Sequence, residues 1–297
     1  MTDTTPRRVE NQLTDKGYVP VYTTAEVQQP WESYSADDHR TWGTLYRRQR
    51  ELLEGRACRE FLQAQDAMGM DADAIPRFDE LNKVLEATTG WTLIGVEGLL
   101  PELDFFDHLA NRRFPVTWWI RRPEQIDYIA EPDLFHDLFG HVPLLMNPLF
   151  ADYMQAYGRG GVKAHAIGPD ALQNLTRLYW YTVEFGLINT AEGLRIYGAG
   201  IVSSKGESLY SLESAAPNRI GFDLERIMRT RYRIDTFQKT YFVIDSFEQL
   251  MEATSPDFTP IYAALADQPH LPAGDVQADD KVFQKGTGEG WADGGDV

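Results

Sequence analysis

Two histidines in unusual surroundings are the residues of this 297-residue chain best suited to chemistry. His136 and His141 lie five positions apart in residues 131–143, which read EPDLFHDLFGHVP and are otherwise rich in Leu, Phe and Val. On an ideal helix, positions five apart point about 140° away from each other, so the imidazoles do not share a face as in an HExxH zinc helix. The backbone must bend if the two act together.

The residues around these histidines predict a short helix followed by a distortion. Pro132 is a favoured first helical residue, and Asp133 and Asp137 favour a helix start. Gly140 could then end the helix in a left-handed conformation, or a π-turn could bring positions i and i+5 together. Two core histidines, each bonded to a carbonyl, are the alternative. A pair that flanks a glycine favours metal ligation.

A third ligand is predicted in residues 172–187, which read LQNLTRLYWYTVEFGL. The first part of this run has apolar residues at helical spacing. In the second part the helix is apolar and aromatic on all sides, which indicates a buried helix end. Glu184 is the only acid in this run. Because a buried carboxylate requires a cation, the run predicts either a salt bridge, to Arg177 or another arginine, or a metal.

Two imidazoles and one carboxylate make a facial triad. Such a site suits non-haem Fe(II) with open positions for oxygen chemistry, and it also suits a hydrolytic Zn²⁺. The spacing of the three residues does not choose between these metals.

Four stretches resemble the biopterin-dependent aromatic amino acid hydroxylases, and most closely the bacterial members that act on phenylalanine. They read FPVTWWIR at 114–121, EPDLFHDLFGHVP at 131–143, LYWYTVEFGL at 178–187 and YGAGIVSS at 197–204. The matching part lies within residues 35–255, and the four motifs in combination are highly specific. The resemblance implies a mainly α-helical fold with short β-strands, in a single compact catalytic domain of this family's type.

The resemblance also implies an activity. Fe(II), held by His136, His141 and Glu184, would activate dioxygen with tetrahydrobiopterin as two-electron donor, and L-phenylalanine would become L-tyrosine. No side chain need act as a general base. Tyrosine or tryptophan as substrate is the alternative within the family. Outside it, a zinc hydrolase would use Asp137 as the adjacent acid or base, and a binding protein with a structural metal would need a fourth protein ligand.

A pterin site and a substrate site are further implications of the resemblance. The pterin would stack on Phe105, which otherwise reads as ordinary core, and the backbone near Leu100 would read its edge. Arg121, which otherwise reads as a surface arginine, would bind the carboxylate of the amino acid. The implied pterin-binding residues are Gly98, Leu100, Phe105, Asp137 and Thr176. The implied substrate-binding residues are Arg121, Pro132, Trp180, Phe185, Ser203, Glu207 and Ile234.

Individual positions bear on specificity within the family. Tyrosine hydroxylases carry an aspartate at the position that Ile234 occupies, and an aliphatic residue there is similar to the members that act on phenylalanine. An apolar wall would leave a tyrosine hydroxyl unpaired, at a cost of about 1–3 kcal/mol. A register slip of one would place Arg233 or Asp235 there instead. At the positions of Thr176 and Ile129, animal members carry other residues. The pterin affinity and the hydrogen bonds to the iron ligands are therefore expected to differ from those of animal members.

The bulk composition limits the partners. A net charge of −17 repels nucleic acid and anionic lipid surfaces, so small molecules are the expected partners. No apolar run approaches a membrane span, and residues 1–18 lack a signal-peptide core. The single cysteine, Cys58, excludes an internal disulfide and suits the cytoplasm. With no room for the N-terminal regulatory domain of eukaryotic members and no apolar heptads after residue 255, a monomer is expected.

Three segments are expected along the chain: an irregular N-terminal arm (1–30), a catalytic domain (31–268) and an acidic tail rich in Gly and Asp (269–297). The patterns predict a helix capped by Ser35 and Asp38 that stops at Gly55. They also predict a helix from Pro148 to Tyr157, broken by the glycines at 158, 160 and 161. The other predicted elements are helices at 57–68, 79–87 and 246–253 and one ending at 111, strands at 91–96, 114–120 and 239–245, and irregular chain from 254.

Overall fold

The computed structural model describes residues 12–14 and 17–291, and helices dominate it. The α-helices are α1 (Ala36–Leu53), α2 (Arg59–Ala67), α3 (Phe78–Thr88), α4 (Glu102–Ala110), α5 (Pro148–Ile167), α6 (Pro169–Tyr179), α7 (Ala199–Val202), α8 (Lys205–Glu213), α9 (Leu224–Arg229), α10 (Phe247–Thr254) and α11 (Thr259–Leu265). Two π-helices span His136–His141 and Trp180–Glu184. None of the helices in the described ranges is long and apolar enough to span a bilayer.

Ten short strands complete the described part of the chain. They are β1 (Gln12–Thr14), β2 (Gly17–Val19), β3 (Glu26–Val27), β4 (Thr92–Val96), β5 (Arg113–Thr117), β6 (Leu187–Thr190), β7 (Gly193–Ile196), β8 (Asn218–Gly221), β9 (Thr240–Ile244) and β10 (Val282–Gln284). β1 and β2 form a hairpin, and β3-β4-β5 form a small sheet. The largest sheet has the order β10-β8-β9-β6-β7, with parallel pairs at its centre and antiparallel pairs at both edges. The predicted fold class is confirmed.

Local signals place most elements where the sequence predicts them. The capping box of α1 is present, because the Ser35 hydroxyl accepts from the backbone of Asp38 and the Asp38 carboxylate accepts from the backbone of Ser35. Gly55 follows the helix with a φ of 70°, and Gly90 follows α3 with a φ of 77°. The predicted strands at 91–96 and 239–245 correspond to β4 and β9.

The predicted break of the fifth helix at Tyr157 is wrong. α5 continues through three glycines to Ile167 and packs against α4. A Cβ at Gly158 would overlap the backbone nitrogen of Ala110, and one at Gly161 would overlap the ring of Phe106. These glycines therefore allow two helices to approach closely, and that packing outweighs their poor helix propensity.

The chain after Thr254 is also more ordered than predicted. α11 follows directly, and β10 forms an edge of the five-stranded sheet by pairing with β8. Asp280 makes a buried ion pair with Arg226 of α9, with Nε and Oδ1 3.0 Å apart. At the other end, β3 of the predicted irregular arm pairs with β4. Residues 1–11, 15–16 and 292–297 of the predicted arm and tail lie outside the described residues.

Candidate metal centre

The first π-helix brings His136 and His141 together. Its wider turn places positions i and i+5 on one side, so the two Nε2 atoms are 3.1 Å apart and the ring planes cross at 84°. Gly140 is not in the left-handed region, so the π-turn is the alternative that the chain adopts. A Cβ on Gly140 would lie 2.9 Å from the carbonyl oxygen of Ala199, so this glycine lets α7 approach the histidines.

The second π-helix ends in the carboxylate that completes the group. Glu184 Oε1 lies 3.2 Å from His141 Nε2, and its Oε2 lies 3.7 Å from His136 Nε2. The predicted alternative of a salt bridge to Arg177 is wrong. The Arg177 guanidinium instead contacts Nδ1 of His270, at 2.6 Å, and donates to the carbonyl oxygen of Met228, at 3.1 Å.

His136, His141 and Glu184 place their nitrogen and oxygen atoms close enough together to bind one metal ion. At metal–ligand distances of about 2.1 Å, two ligands at a right angle lie about 3.0 Å apart, whereas two at the tetrahedral angle lie about 3.4 Å apart. The separations are 3.1 Å between His136 and His141, 3.2 Å between His141 and Glu184 and 3.7 Å between His136 and Glu184, so they span both values. Such a facial triad with open positions is typical of non-haem Fe(II) oxygenases.

Burial and charge prepare the group for a cation. Burial lowers the pKa of His136 to about 4, so this imidazole is neutral and keeps a lone pair. Burial opposes the charged forms of His141 and Glu184 too, but their attraction outweighs it: the pKa of His141 is raised and that of Glu184 is lowered. A carboxylate facing two imidazole nitrogens is a set of donors that a divalent ion satisfies.

Ser203 fixes the tautomer of His136. Its Oγ donates to the carbonyl oxygen of Ala199, at 2.8 Å, and lies 2.9 Å from His136 Nδ1. Because the single hydroxyl proton is used by Ala199, Nδ1 must carry the proton and donate to Ser203. Nε2 is then left unprotonated and points to the other two ligand atoms.

Asp137 is a second carboxyl group near the histidines. One of its oxygens lies within 4.8 Å of a nitrogen of each imidazole, so Asp137, His136 and His141 also form a possible ligand set. The Asp137 Oδ2 accepts from the backbone of Thr117 at 2.7 Å, and burial raises the pKa of Asp137 to about 7. The carboxylate of Glu184 approaches both Nε2 atoms more closely, and its pKa is lowered. Glu184 is therefore the better third ligand.

A cavity of about 270 Å³ opens on one side of the three ligands. Its lining is mostly apolar and includes Tyr179, whose ring meets that of Phe105 edge to face at 5.7 Å. We call it the smaller cavity. All the residues predicted by resemblance to bind pterin line it, namely Gly98, Leu100, Phe105, Asp137 and Thr176.

A cavity of about 750 Å³ opens on the other side, and we call it the larger cavity. His136, Glu184, Leu99 and Pro132 line both cavities, so the two spaces meet at the ligands. All the residues predicted to bind the substrate line the larger cavity, namely Arg121, Pro132, Trp180, Phe185, Ser203, Glu207 and Ile234.

Two of these residues differ from what the sequence alone indicates. Arg121 is not a surface arginine: it is 6% exposed, and its Nε and Nη2 donate to Asp133 at 2.9 and 2.8 Å. Ile234 is 60% exposed and lies at the rim of the larger cavity, so it is not a buried apolar wall. Its neighbour Asp235 pairs with Arg233, with Nη2 and Oδ1 2.8 Å apart.

Sequence reasoning missed three residues that support the larger cavity. The sequence marks Asp133 only as a helix-start residue, but its carboxylate holds Arg121 and accepts from the backbone of His136 at 3.1 Å. Gln238 and Tyr241 both hydrogen-bond the carboxyl group of Glu207. No local pattern marks these partners, because they lie far apart along the chain. Burial raises the pKa of Glu207 to about 7, against the effect of these hydrogen bonds.

Comparison with known proteins places the chain in a family. The family model described as biopterin-dependent aromatic amino acid hydroxylase matches residues 8–259. Phenylalanine-4-hydroxylase of Chromobacterium violaceum is 65% identical over 271 residues, which cover 91% of each chain. The enzyme of the same name from Ralstonia nicotianae is also 65% identical, over 91% of this chain and 86% of its own length.

Solved structures of the Chromobacterium violaceum phenylalanine hydroxylase have the same fold. One with iron and phenylalanine bound is 62% identical, covers 88% of this chain and 96% of its own, and superposes with a TM-score of 0.83. Another, with Fe(III) and oxidised cofactor 7,8-dihydrobiopterin, is 62% identical, covers 89% of this chain and 95% of its own, and has a TM-score of 0.84. The chain belongs to the biopterin-dependent aromatic amino acid hydroxylases.

Proposed function

We propose that this protein is a phenylalanine 4-monooxygenase, which hydroxylates L-phenylalanine to L-tyrosine with dioxygen and tetrahydrobiopterin at a single non-haem Fe(II). The observation that carries the proposal is that the two cavities meet at His136 and Glu184, beside His141, which lines the smaller cavity. The crystals of the relative hold iron with phenylalanine or with dihydrobiopterin, which supports iron over a hydrolytic zinc. When bound, iron and the reduced pterin would together activate dioxygen: the pterin would supply two electrons, and one oxygen atom of O2 would enter the ring.

The side chains at the metal centre hold the ion and leave room for reactants. His136, His141 and Glu184 provide three ligands on one face, so positions toward both cavities stay open. Ser203 keeps the Nε2 lone pair of His136 directed at the metal. The side chains of the three ligands are at most 17% exposed, which limits the access of water to the reacting groups.

The larger cavity is proposed to orient phenylalanine. Asp133 uses Nε and one hydrogen of Nη2 on Arg121, so Nη1 can bind the substrate carboxylate. Trp180 and Phe185, whose ring centroids are 4.8 Å apart, form an aromatic wall for the substrate ring. Glu207 is a buried acid without a cation of its own, which suits the amino group. These contacts align the ring with the metal.

The Phe105→Ala variant tests the proposed pterin site. Loss of the aromatic surface in the smaller cavity should raise the pterin KM at least about fivefold and change the phenylalanine KM less than about twofold. Steady-state assays that vary each substrate separately measure both values. Phe222→Ala is the matched control, since Phe222 is a half-buried phenylalanine that lines neither cavity. Equal effects on both KM values would make Phe105 a core residue only.

The proposed substrate choice is tested by assays with phenylalanine, tyrosine and tryptophan. We expect kcat/KM for phenylalanine to exceed that for tyrosine at least about tenfold, because the rings of Trp180 and Phe185 pair poorly with a phenol hydroxyl. Ile234→Asp should narrow this gap, since an acid at the rim can accept from that hydroxyl. Val282→Asp, which changes an exposed residue outside the cavity, is the control. Comparable kcat/KM for tyrosine or tryptophan in the unaltered protein would refute the assignment.

We also propose that the enzyme acts as a monomer in the cytoplasm, with a catalytic unit built on residues 31–268. The only helix that begins after residue 255 in the described ranges is α11, whose seven residues are too short for a coiled coil. Cys58 is buried, and burial raises the pKa of its thiol to about 12, so it is poorly suited to intermolecular disulfides. Light scattering measures the mass in solution, and a dimer or tetramer would refute the monomer.

A further inference from the structure

Gln238 connects three parts of the wall of the larger cavity. Its Oε1 accepts from the indole N–H of Trp180 at 3.0 Å, and its Nε2 donates to the carbonyl oxygen of Arg233 at 2.8 Å. Its backbone N–H donates to Oε1 of Glu207 at 3.2 Å. Gln238 is 2% exposed and itself lines the cavity. Gln238 thus connects Trp180, Glu207 and the loop that carries Ile234.

The two side-chain partners require an amide at this position. An indole N–H can only donate and a backbone carbonyl can only accept, so the orientation of the Gln238 amide is fixed by chemistry. A glutamate would keep the acceptor for Trp180 but lose the donor to Arg233. A methionine has nearly the same volume and would lose both bonds. An amide offers one donor and one acceptor on the same planar group, and glutamine is the only amide side chain of this length.

The bond to Gln238 sets how Trp180 faces the cavity. The indole stacks on Tyr232, with centroids 4.4 Å apart and planes 23° apart, and it packs against Phe185 at 4.8 Å. Stacking fixes the plane of the ring but leaves open a rotation of about 180° about the Cβ–Cγ bond, which keeps that plane and reverses the side on which the N–H lies. The N–H···Oε1 bond removes this freedom, because only one rotation points the N–H at Gln238.

We propose that Gln238 is a positioning residue for the amino acid substrate, acting through Trp180 and Glu207. The inference deepens the proposed function, since it assigns a role within the substrate side of the same site. Gln238 lines the larger cavity and not the smaller one. Its loss therefore weakens phenylalanine binding and leaves pterin binding unchanged.

The Gln238→Met variant is the direct test. We expect the phenylalanine KM to rise at least about tenfold, with kcat changed less than about threefold and the pterin KM less than about twofold. Calorimetric titration of the iron-loaded protein with phenylalanine, without oxygen, should show a similar loss of affinity. Gln65→Met is the matched control, since Gln65 is fully buried in α2 and lines neither cavity. It should leave both KM values unchanged.

A double-mutant cycle tests whether Gln238 acts through Trp180. Trp180→Phe removes the indole N–H, so in that background Gln238→Met should raise the phenylalanine KM less than about threefold. If Gln238→Met does not fold, Gln238→Glu retains the bond to Trp180 and should give an intermediate phenylalanine KM. Melting temperatures identify folded variants.

Several outcomes would overturn the inference. An equal rise in the phenylalanine and pterin KM values would indicate general damage, and so would effects that match those of Gln65→Met. If the effects of Gln238→Met and Trp180→Phe on the phenylalanine KM are fully additive, Gln238 does not act through Trp180. If the unaltered protein forms no tyrosine, the proposed function fails. The calorimetric comparison of Gln238→Met with the unaltered protein still decides whether Gln238 positions bound phenylalanine.

Discussion

Replacement of Glu184 by alanine is expected to lower Fe(II) affinity at least about a hundredfold and to abolish tyrosine formation. Among the described residues, Glu184 is the carboxylate that approaches both Nε2 atoms most closely, at 3.2 and 3.7 Å. Without it, His136 and His141 remain as two neutral ligands, and the charge that balances the divalent ion is lost. The iron would also no longer be held on one face by three protein ligands.

Anaerobic titration with Fe(II) measures the affinity, and product assays with added iron measure turnover. Glu192→Ala is a suitable control, because Glu192 is a surface acid that pairs with Arg59 and Arg195. An unchanged Fe(II) affinity in Glu184→Ala would exclude Glu184 as a ligand. Asp137, the other acid near the histidines, would then be the residue to replace.

The elements that the sequence predicts well are those with local causes. The capping box at Ser35 and the helix-ending glycines at 55 and 90 act within a few residues, so they can be recognised without a partner. The glycines of α5 show the opposite case, because Gly158 and Gly161 look like breakers until Ala110 and Phe106 of α4 are in place. Tertiary packing then decides the conformation.

The sequence predicts the residues of the candidate metal centre but not their conformation. The spacing of His136 and His141 left a π-turn and a glycine cap as equal alternatives, and the close approach of Ala199 to Gly140 favours the π-turn. The cavities were predictable only through the family resemblance. Partners such as Gln238 and Trp180 are separated by 58 residues, so no periodicity or motif connects them.

Asp133 is another residue whose partner no local motif indicates, since the sequence marks it only as a helix-start residue. Its carboxylate is fully buried and accepts from Nε, Nη2 and the backbone N–H of Arg121, at 2.9, 2.8 and 2.9 Å. Burial alone would raise the pKa of Asp133, but Arg121 outweighs it and holds that pKa below its usual value. The pair is therefore charged, and each ion depends on the other.

Asp133→Asn is expected to reduce the free energy of unfolding by about 3–5 kcal/mol, because it leaves the Arg121 guanidinium buried without a counter-ion. We also expect the phenylalanine KM to rise at least about tenfold, since the amide keeps only one of the two acceptor oxygens that direct the free edge of Arg121 into the larger cavity. Urea denaturation measures the first effect and steady-state kinetics the second.

In contrast, Asp66→Ala breaks an Arg–Asp pair whose carboxylate is 65% exposed, and it should cost no more than about 1 kcal/mol. If the two variants were equally stable, the buried pair would contribute no more than a surface pair, and the proposed alignment of Arg121 by Asp133 would be wrong.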